Sequence, residues 1–402
     1  MEEWKVVSVR EADMEKDLSA VEELERRCQV GLCGDTATGD DDDDGVAKKK
    51  KKKGMSLYAE QIGDPLARVR HSPEHVMLVA EIGEEKGIVG VIKACVKMVS
   101  RGGGKQPKPY VKVANLLGLR VSPSHRRLGI GTALVLRAEE WCRARGAAHA
   151  TMATTASNAA SLALFTGRFG YAPFRRPEFL GRPVHGHGLQ VPRGHRVFQL
   201  TPEMAAAVYA QQLPPQDTEF LPADMPALLA HKLTLGTFVA IESNPDQSLR
   251  PSFAVLSIWD STRSLRLRVL GAPALLRASL AALRALDRAA PWLRLPSIPD
   301  IFRPFGTYLL YGLRMSGPEG PALLRSICHH AHNVARKNPA CAVVAADISP
   351  DDPAAAAVPR WRRFSCDEDV WCIKNLNPSD NADDWTAPPP PGNLLFVDPR
   401  EF

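Results

Sequence analysis

No run of apolar residues in this 402-residue chain reaches the ~18 that a membrane-crossing helix needs. The acidic start, Met1-Glu2-Glu3, has no apolar stretch behind it of the kind a secretory leader carries. The eight cysteines contain no C-x-x-C pair, which argues for reduced thiols rather than a disulfide framework or a zinc ribbon. Two common phosphate loops are missing as well: neither G-x-x-x-x-G-K-[ST] nor G-x-G-x-x-G occurs. The basic clusters are not interleaved with aromatics, which weighs against direct nucleic-acid binding.

What is present is the composition of a globular protein, 45% hydrophobic and 24% charged, long enough for two or three domains. The net charge of +6 is mildly basic, and much of it sits in one run, Lys48 to Lys53, just after an acidic run, Asp40 to Asp44. Like-charge blocks of that kind cannot pack, so 38–55 reads as a disordered insert. The lysine run has two readings: a nuclear-import signal or acidic-partner patch, and a solvated loop neutralised by its acidic neighbour. The second is the better supported. The chain is expected in the nucleus or the cytoplasm.

The chemistry concentrates between Gly118 and Tyr171. An apolar strand ending at Val121 leads through Ser122-Pro123-Ser124-His125 into Arg126-Arg127-Leu128-Gly129-Ile130-Gly131-Thr132. A helical pattern, Ala133 to Arg145, follows and is closed by Gly146; a short strand, Ala148 to Ala153, comes next. Glycines at 129 and 131 let a ligand approach the backbone closely. The first N–H groups of the helix lack partners and its dipole favours an anion there. Arg126 and Arg127 add formal charge. A pyrophosphate suits this turn.

Arg126-x-x-Gly129-x-Gly131 after a strand, followed by a helix led by Asn158 and ending at Gly170-Tyr171, resembles the GCN5-related N-acetyltransferase (GNAT) superfamily. Further stretches, among them Glu139-Glu140-Trp141, Leu164-Phe165-Thr166-Gly167 and Phe396-Val397-Asp398-Pro399-Arg400-Glu401-Phe402, are similar to the plant Hookless family of probable N-acetyltransferases. The resemblance implies acetyl-CoA as co-substrate and no metal. It implies that backbone groups near Leu119 and Val121 pair with the pantetheine arm. It implies that the N–H groups from Arg127 through Leu128, Gly129, Ile130 and Gly131 to Thr132 hold the pyrophosphate, and that Asn158 touches the arm. It also implies an amine acceptor, a protein lysine or a small amine, with chromatin proteins among the partners and a role in growth or hormone response.

The expected fold is α/β (α+β): tandem GNAT-like domains, each a mixed, mostly antiparallel sheet flanked by helices. The first spans 1–200, from a strand at Trp4 to Arg10 and a helix at Asp17 to Cys28 to a closing strand at Val197 to Leu200. A hairpin, His75 to Glu81 and Ile88 to Val99, turns at Glu84-Glu85-Lys86-Gly87. A linker, 201–217, leads to the second domain, 218–377. There Gly312-Leu313-Arg314-Met315-Ser316 echoes Gly118-Leu119-Arg120-Val121-Ser122, and a helix at Pro321 to Lys337 and an apolar run at Ala342 to Ala346 follow in matching order. Phe253 to Trp259 and Leu265 to Leu270 are read as its hairpin. Its turn, Gly317-Pro318-Glu319-Gly320-Pro321, has no arginine, carries an acid and loses N–H donors to proline, so this copy is degenerate. The stretch 378–402 is a Pro-rich tail with a docking peptide at Leu394 to Phe402.

The acid and base are harder to find. Phe165 stands where many relatives of the superfamily carry a tyrosine, and it has no proton to give. Tyr171 is the nearest hydroxyl and the candidate acid, though its place after Gly170 also suits a core residue. Glu81, at the end of a central strand, is the candidate base, with His71 or His75 as relays. Holding the cofactor without transferring the acetyl group, as a regulatory binding protein, is the alternative. His185-x-His187 and His329-His330-x-His332 lack the second spaced ligand set that metal sites use, so no metal is expected. Arg175-Arg176-Pro177 and Arg193 read as a basic rim for an acidic acceptor or nucleic acid, the second without the aromatic interleaving that would support it.

Overall fold

The computed structural model describes residues 7–28, 30–33, 56–61, 64–83, 87–103, 109–243, 251–361, 369–377 and 385–401. The acidic and lysine runs, the start at Trp4, the turn residues Glu84 to Lys86, the stretch 378–384 and Phe402 lie outside the described residues. The chain begins β1 (Val7–Glu11), α1 (Leu18–Arg27), β2 (Val30–Cys33), β3 (Ser56–Gln61), β4 (Glu74–Ile82), β5 (Gly87–Arg101), β6 (Tyr110–Val121), α2 (Ile130–Ala144), β7 (His149–Thr155) and α3 (Ala159–Leu162). It continues β8 (Ala172–Arg175), β9 (Glu178–Pro183), β10 (His195–Leu200), α4 (Pro202–Gln212), β11 (Thr218–Pro222), α5 (Met225–Leu229), β12 (Thr234–Glu242), β13 (Phe253–Asp260), β14 (Leu265–Leu270) and α6 (Ala274–Ala289). It closes with β15 (Phe305–Ser316), α7 (Gly320–Ala335), β16 (Cys341–Ile348), β17 (Asp369–Asn375) and β18 (Leu394–Leu395).

The strands form two mixed, mostly antiparallel sheets. The first runs β1-β4-β5-β6-β7-β17-β8, with β11 added on β5 and β18 on β11. The second runs β10-β12-β13-β15, with β16 and then β9 beyond β15 and β14-β3-β2 at the start of β15. Each has one parallel pair bridged by a helix as βαβ units require, β6 with β7 through α2 and β15 with β16 through α7, and the short β18 lies parallel to β11 in the first.

α2 shows why these elements form where they do. Ile130, Leu134, Val135, Ala138, Trp141 and Cys142 share one face and are buried against β4, β5 and β6. Complete burial of each large side chain contributes about 1.5–3 kcal/mol. The helix stops because Gly146 takes φ +75°, letting Gly146 N–H donate to Arg143 O and Ala147 N–H to Cys142 O.

The internal repeat is present at the level of backbone irregularities. In β6, Val91↔Arg120 and Lys93↔Leu117 leave one extra residue on β6, and Gly118 at φ +65° makes the bulge. In β15, Val255↔Arg314 and Ser257↔Tyr311 leave the same surplus, with Gly312 at φ +63°.

Three strand placements correct the sequence reading. Val197 to Leu200 does not close the first sheet; as part of β10 it pairs with β12 and opens the second, as β1 opens the first. The hairpin that matches β4-β5 is β12-β13, whereas Leu265 to Leu270 pairs with β3 at the other end. The boundary near Leu200 does not separate the sheets either. β8 and β9 are joined only through Arg176-Pro177, yet β8 lies in the first sheet and β9 pairs with β16 in the second. In return β17, from the far end of the chain, pairs with β7 from Asp369↔Thr155 to Asn375↔His149. β2 and β3 likewise lie in the second sheet, and β11 and β18 in the first.

The expected docking peptide serves its own chain. Leu394 N–H donates to Asp217 O and Phe396 N–H to Glu219 O, and the Phe396 ring is buried in the core of the second sheet. Asp398 and Arg400 are buried beyond it. Lys97 donates to Asp398 at 3.0 Å, and Arg400 pairs with both Asp398 and Asp224.

Candidate acetyl-CoA site

β6 and β7 pair only from Val113↔His149 to Leu116↔Met152. β6 stays on β5 as far as Gly90↔Val121. The stretch 117–121, which includes Leu119 and Val121, therefore runs on with no strand on its β7 side among the described residues. Such an edge offers main-chain groups to an extended ligand.

The chain then turns through Pro123–His125. Arg127 adopts φ +65° and Gly129 φ +79°, two left-handed residues around Leu128. For arginine that conformation costs on the order of 1 kcal/mol or more. Residues 126 to 129 are exposed, while Ile130 is buried and anchors the start of α2. No side chain caps α2, and its first backbone bond is Ala133 N–H to Gly129 O at 3.0 Å. The N–H groups of Ile130, Gly131 and Thr132 therefore precede the helical ladder and belong to its positive end. A Cβ on Gly131 would meet Leu164 at 3.6 Å and Val121 at 3.8 Å, ordinary contact; one on Gly129 would meet nothing. Gly129 is needed for its φ and Gly131 for close approach from outside.

Asn158 caps α3: its Oδ1 accepts from Ser161 N–H at 3.2 Å and its Nδ2 donates to Thr154 Oγ1 at 3.0 Å. One N–H and one lone pair of the amide are left for a ligand. Phe165 is buried, with Tyr171 edge-on at 5.2 Å.

Both acid–base candidates are buried and face charged partners. Tyr171 is 2% exposed, and its hydroxyl faces Glu139, which Lys374 and Arg143 hold at 2.8 Å each. Burial first, and the Glu139 charge second, push this phenol well above its ordinary value, so it is a poorer acid than free tyrosine. Glu81 is buried and accepts from Arg10 at 2.9 Å and 2.5 Å; the same guanidinium holds Asp17 at the start of α1. It is a joint between β1, β4 and α1, not a free base. The histidines do no better. His71 contacts His231 at 3.1 Å and is pushed down to about 4 by burial, then by His231, while His75 lies 3.4 Å from Ser72 O.

Elsewhere, His185 N–H donates to His332 Nε2 at 2.7 Å, and no group that could hold a metal is found among the described residues. Arg175, expected on an open rim, is largely buried in a two-bond pair with Glu219 at 2.6 Å. The second turn is closed from within. A Cβ on Gly317 would sit 2.5 Å from Ser252 Oγ, which accepts from Glu319 N–H at 3.2 Å. A separate cavity of about 450 Å³, lined by Gln212, Asp217, Arg314 and Asn393, lies beside β15 rather than at the first turn.

Sequence reasoning missed a charged pair under the Gly118 bulge. Lys93, on β5, is 1% exposed and donates to Glu25 of α1 at 2.5 Å. Its visible signal was a lysine inside the apolar run Ile88 to Val99.

An open strand edge, an uncapped helix start and a left-handed turn carrying two arginines define the class. The chain belongs to the acetyltransferase (GNAT) family, whose model matches residues 48–171. It is similar over 99% of its length, at 80% identity and 98% coverage of the relative, to "Acetyl transferase GW6a" of Oryza sativa subsp. japonica. It is 42% identical, over 98% of its own length and 99% of the relative's, to "Probable N-acetyltransferase HLS1" of Arabidopsis thaliana. Among solved structures, N-myristoyltransferase of Saccharomyces cerevisiae with bound myristoyl-CoA shares the fold. The TM-score is 0.52 and the identity 12%, over 92% of this chain and 79% of that one.

Proposed function

We propose that this protein transfers the acetyl group of acetyl-CoA to an amine, with a protein lysine, histone tails included, as the acceptor. The single observation that carries the reading is the Arg126–Thr132 turn. It joins an uncapped helix start to the open edge 117–121, where a pyrophosphate and an extended arm fit in sequence. Arg126 and Arg127 would neutralise the phosphates, the N–H groups of Leu128 to Thr132 would bind them, and Leu119, Val121 and Asn158 would align the arm. The second half, with its turn closed by Ser252, acts as scaffold and acceptor-side wall. The domain scheme proposed here is two GNAT-like units that exchange their last strands. Action on chromatin proteins in growth or hormone response, in the nucleus, follows from likeness to the Hookless family.

The test is incubation with acetyl-CoA and core histones, reading free thiol and, by mass spectrometry, the acetylated lysines. Thiol release coupled to histone acetylation supports the reading; release with a small amine such as spermidine but not with histones moves the acceptor to that class. A second reading, a regulatory protein that binds acetyl-CoA without turning it over, is favoured by Phe165 and by the burial of Tyr171. It predicts binding with no thiol release on either acceptor.

A further inference from the structure

We infer that the Lys93–Glu25 pair beneath the Gly118 bulge is the proton-handling couple of the transfer, the Lys93 ammonium facing the departing CoA sulfur. The inference rests on the acetyl-CoA reading of the turn above. Three observations carry it.

The first is position. A Cβ on Gly118 would lie 3.4 Å from Lys93 Cδ and 3.7 Å from its Nζ. Gly118 is the bulge at the point where β6 has just left β7. An arm laid along 117–121 from the pyrophosphate turn would end its run beside that bulge. A cation waits there.

The second is the contrast between the two copies. Glu25 is the eighth residue of α1, and Tyr209 is the eighth of α4. Lys93 stands opposite Leu117, next to Gly118; Ser257 stands opposite Tyr311, next to Gly312. In the second copy Tyr209 and Ser257 bond each other at 3.0 Å, and the tyrosine ring fills the bulge, 2.8 Å from where a Gly312 Cβ would be. The copy with a closed turn therefore has a neutral, plugged bulge. The copy with an open turn has a buried charged pair in the same two places. A buried ion pair is seldom the most stable filling for a core, since well-packed neutral groups do as well or better. The Tyr209–Ser257 pair shows that this fold accepts such a filling.

The third is chemistry. Burial, opposed by Glu25 and reinforced by Arg68 of the segment before β4 and Arg120 of β6, pushes Lys93 down to about 8. A donor near that value is matched to a thiol, whose own pKa is near ~8.5. In the step, the acceptor nitrogen forms its bond to the acetyl carbon and the C–S bond breaks. The electron pair goes to sulfur, and sulfur takes a proton from Lys93. The surplus proton on the acceptor nitrogen returns through water to Lys93, which ends charged and paired with Glu25 as it began. The hydroxyl that Phe165 cannot supply is thereby replaced.

The test needs no acceptor. Calorimetry of free CoA and of desulfo-CoA, which lacks the sulfur, is run at pH 7.5 in buffers of different ionisation enthalpy. It uses wild type, K93R and the double variant K93S/E25Y, which copies the second half's pair. Wild type should release a large fraction of one proton with CoA and none with desulfo-CoA, because a cation beside the sulfur favours the thiolate. K93R should keep that release, and K93S/E25Y, compared at saturating CoA, should lose it. Equal proton release by wild type and K93S/E25Y, or none by wild type, overturns the inference while leaving the cofactor reading intact. Failure of wild type to bind either ligand overturns the cofactor reading and this inference with it. Mass spectrometry after incubation with acetyl-CoA should find Lys93 unmodified; a stably acetylated Lys93 would make it an acceptor and overturn its role as donor.

Discussion

Single residues divide sharply by whether neighbours in sequence or neighbours in space decide their role. Arg126, Gly129 and Gly131 were legible because a strand, a turn and a helix start are local, and the left-handed φ of Gly129 is what the turn required. Replacing Gly129 with alanine strains that φ without a clash, so a modest loss of stability, about 1 kcal/mol, should appear in denaturant unfolding. The surroundings of Glu81 and Tyr171 cannot be read locally, because they come from partners far away in the chain, Arg10 and the Glu139–Lys374 pair. Lys93 and Glu25, 68 residues apart, were missed for the same reason. Glu81→Gln should therefore leave thiol release within about threefold of wild type. It should lower stability by about 1 kcal/mol, a charge-assisted bond discounted for the 39% exposure of Arg10. A loss of a hundredfold or more in turnover with unchanged stability would restore Glu81 as the base.

At the scale of elements, the helices α2 and α7 and the repeat of the two bulged strands can be read from periodicity and from a five-residue stretch that matches at four positions. Strand partners cannot. β9, β10 and β17 have ordinary strand patterns, and nothing in a pattern of alternation says which sheet a strand joins. The C-terminal peptide illustrates the same limit: its apolar and charged residues fitted a docking segment, and the surface it docks on is β11 and β5 of its own chain. Phe396→Ala should cost about 3–5 kcal/mol in denaturant unfolding, as for other buried aromatics. Acid should loosen the same clasp. Burial alone would raise Asp398, but Lys97 and Arg400 outweigh it and hold the carboxyl well below the usual range. A group depressed in the folded state contributes stability that is present above its unfolded value, near ~4, and lost as pH falls toward the folded one. Thermal unfolding between pH 5 and 2 should therefore show a loss in wild type that is smaller in Asp398→Asn, the variant being less stable at neutral pH. Parallel pH profiles would contradict this account of the clasp.

At the scale of the whole molecule, β9 and β17 tie the two sheets together, each pairing in the sheet that the strand before it in sequence does not join. A fragment ending at residue 200 keeps β10 without its partner and lacks β17, leaving the edges of β7 and β8 bare. Expressed alone it should aggregate or show no cooperative unfolding, and co-expression with 201–402 should recover soluble complex; an autonomous, cooperatively melting fragment would contradict the interlocked arrangement. The same plan separates the roles of the halves, because among the described residues only the first has an open turn and a charged bulge. The most direct measurement of that assignment is calorimetric titration of acetyl-CoA into wild type and Gly129→Glu. One site per chain in wild type, weakened at least a hundredfold by the carboxylate placed at the pyrophosphate turn, is the predicted result. No binding by wild type, or binding that survives Gly129→Glu unchanged, would contradict it.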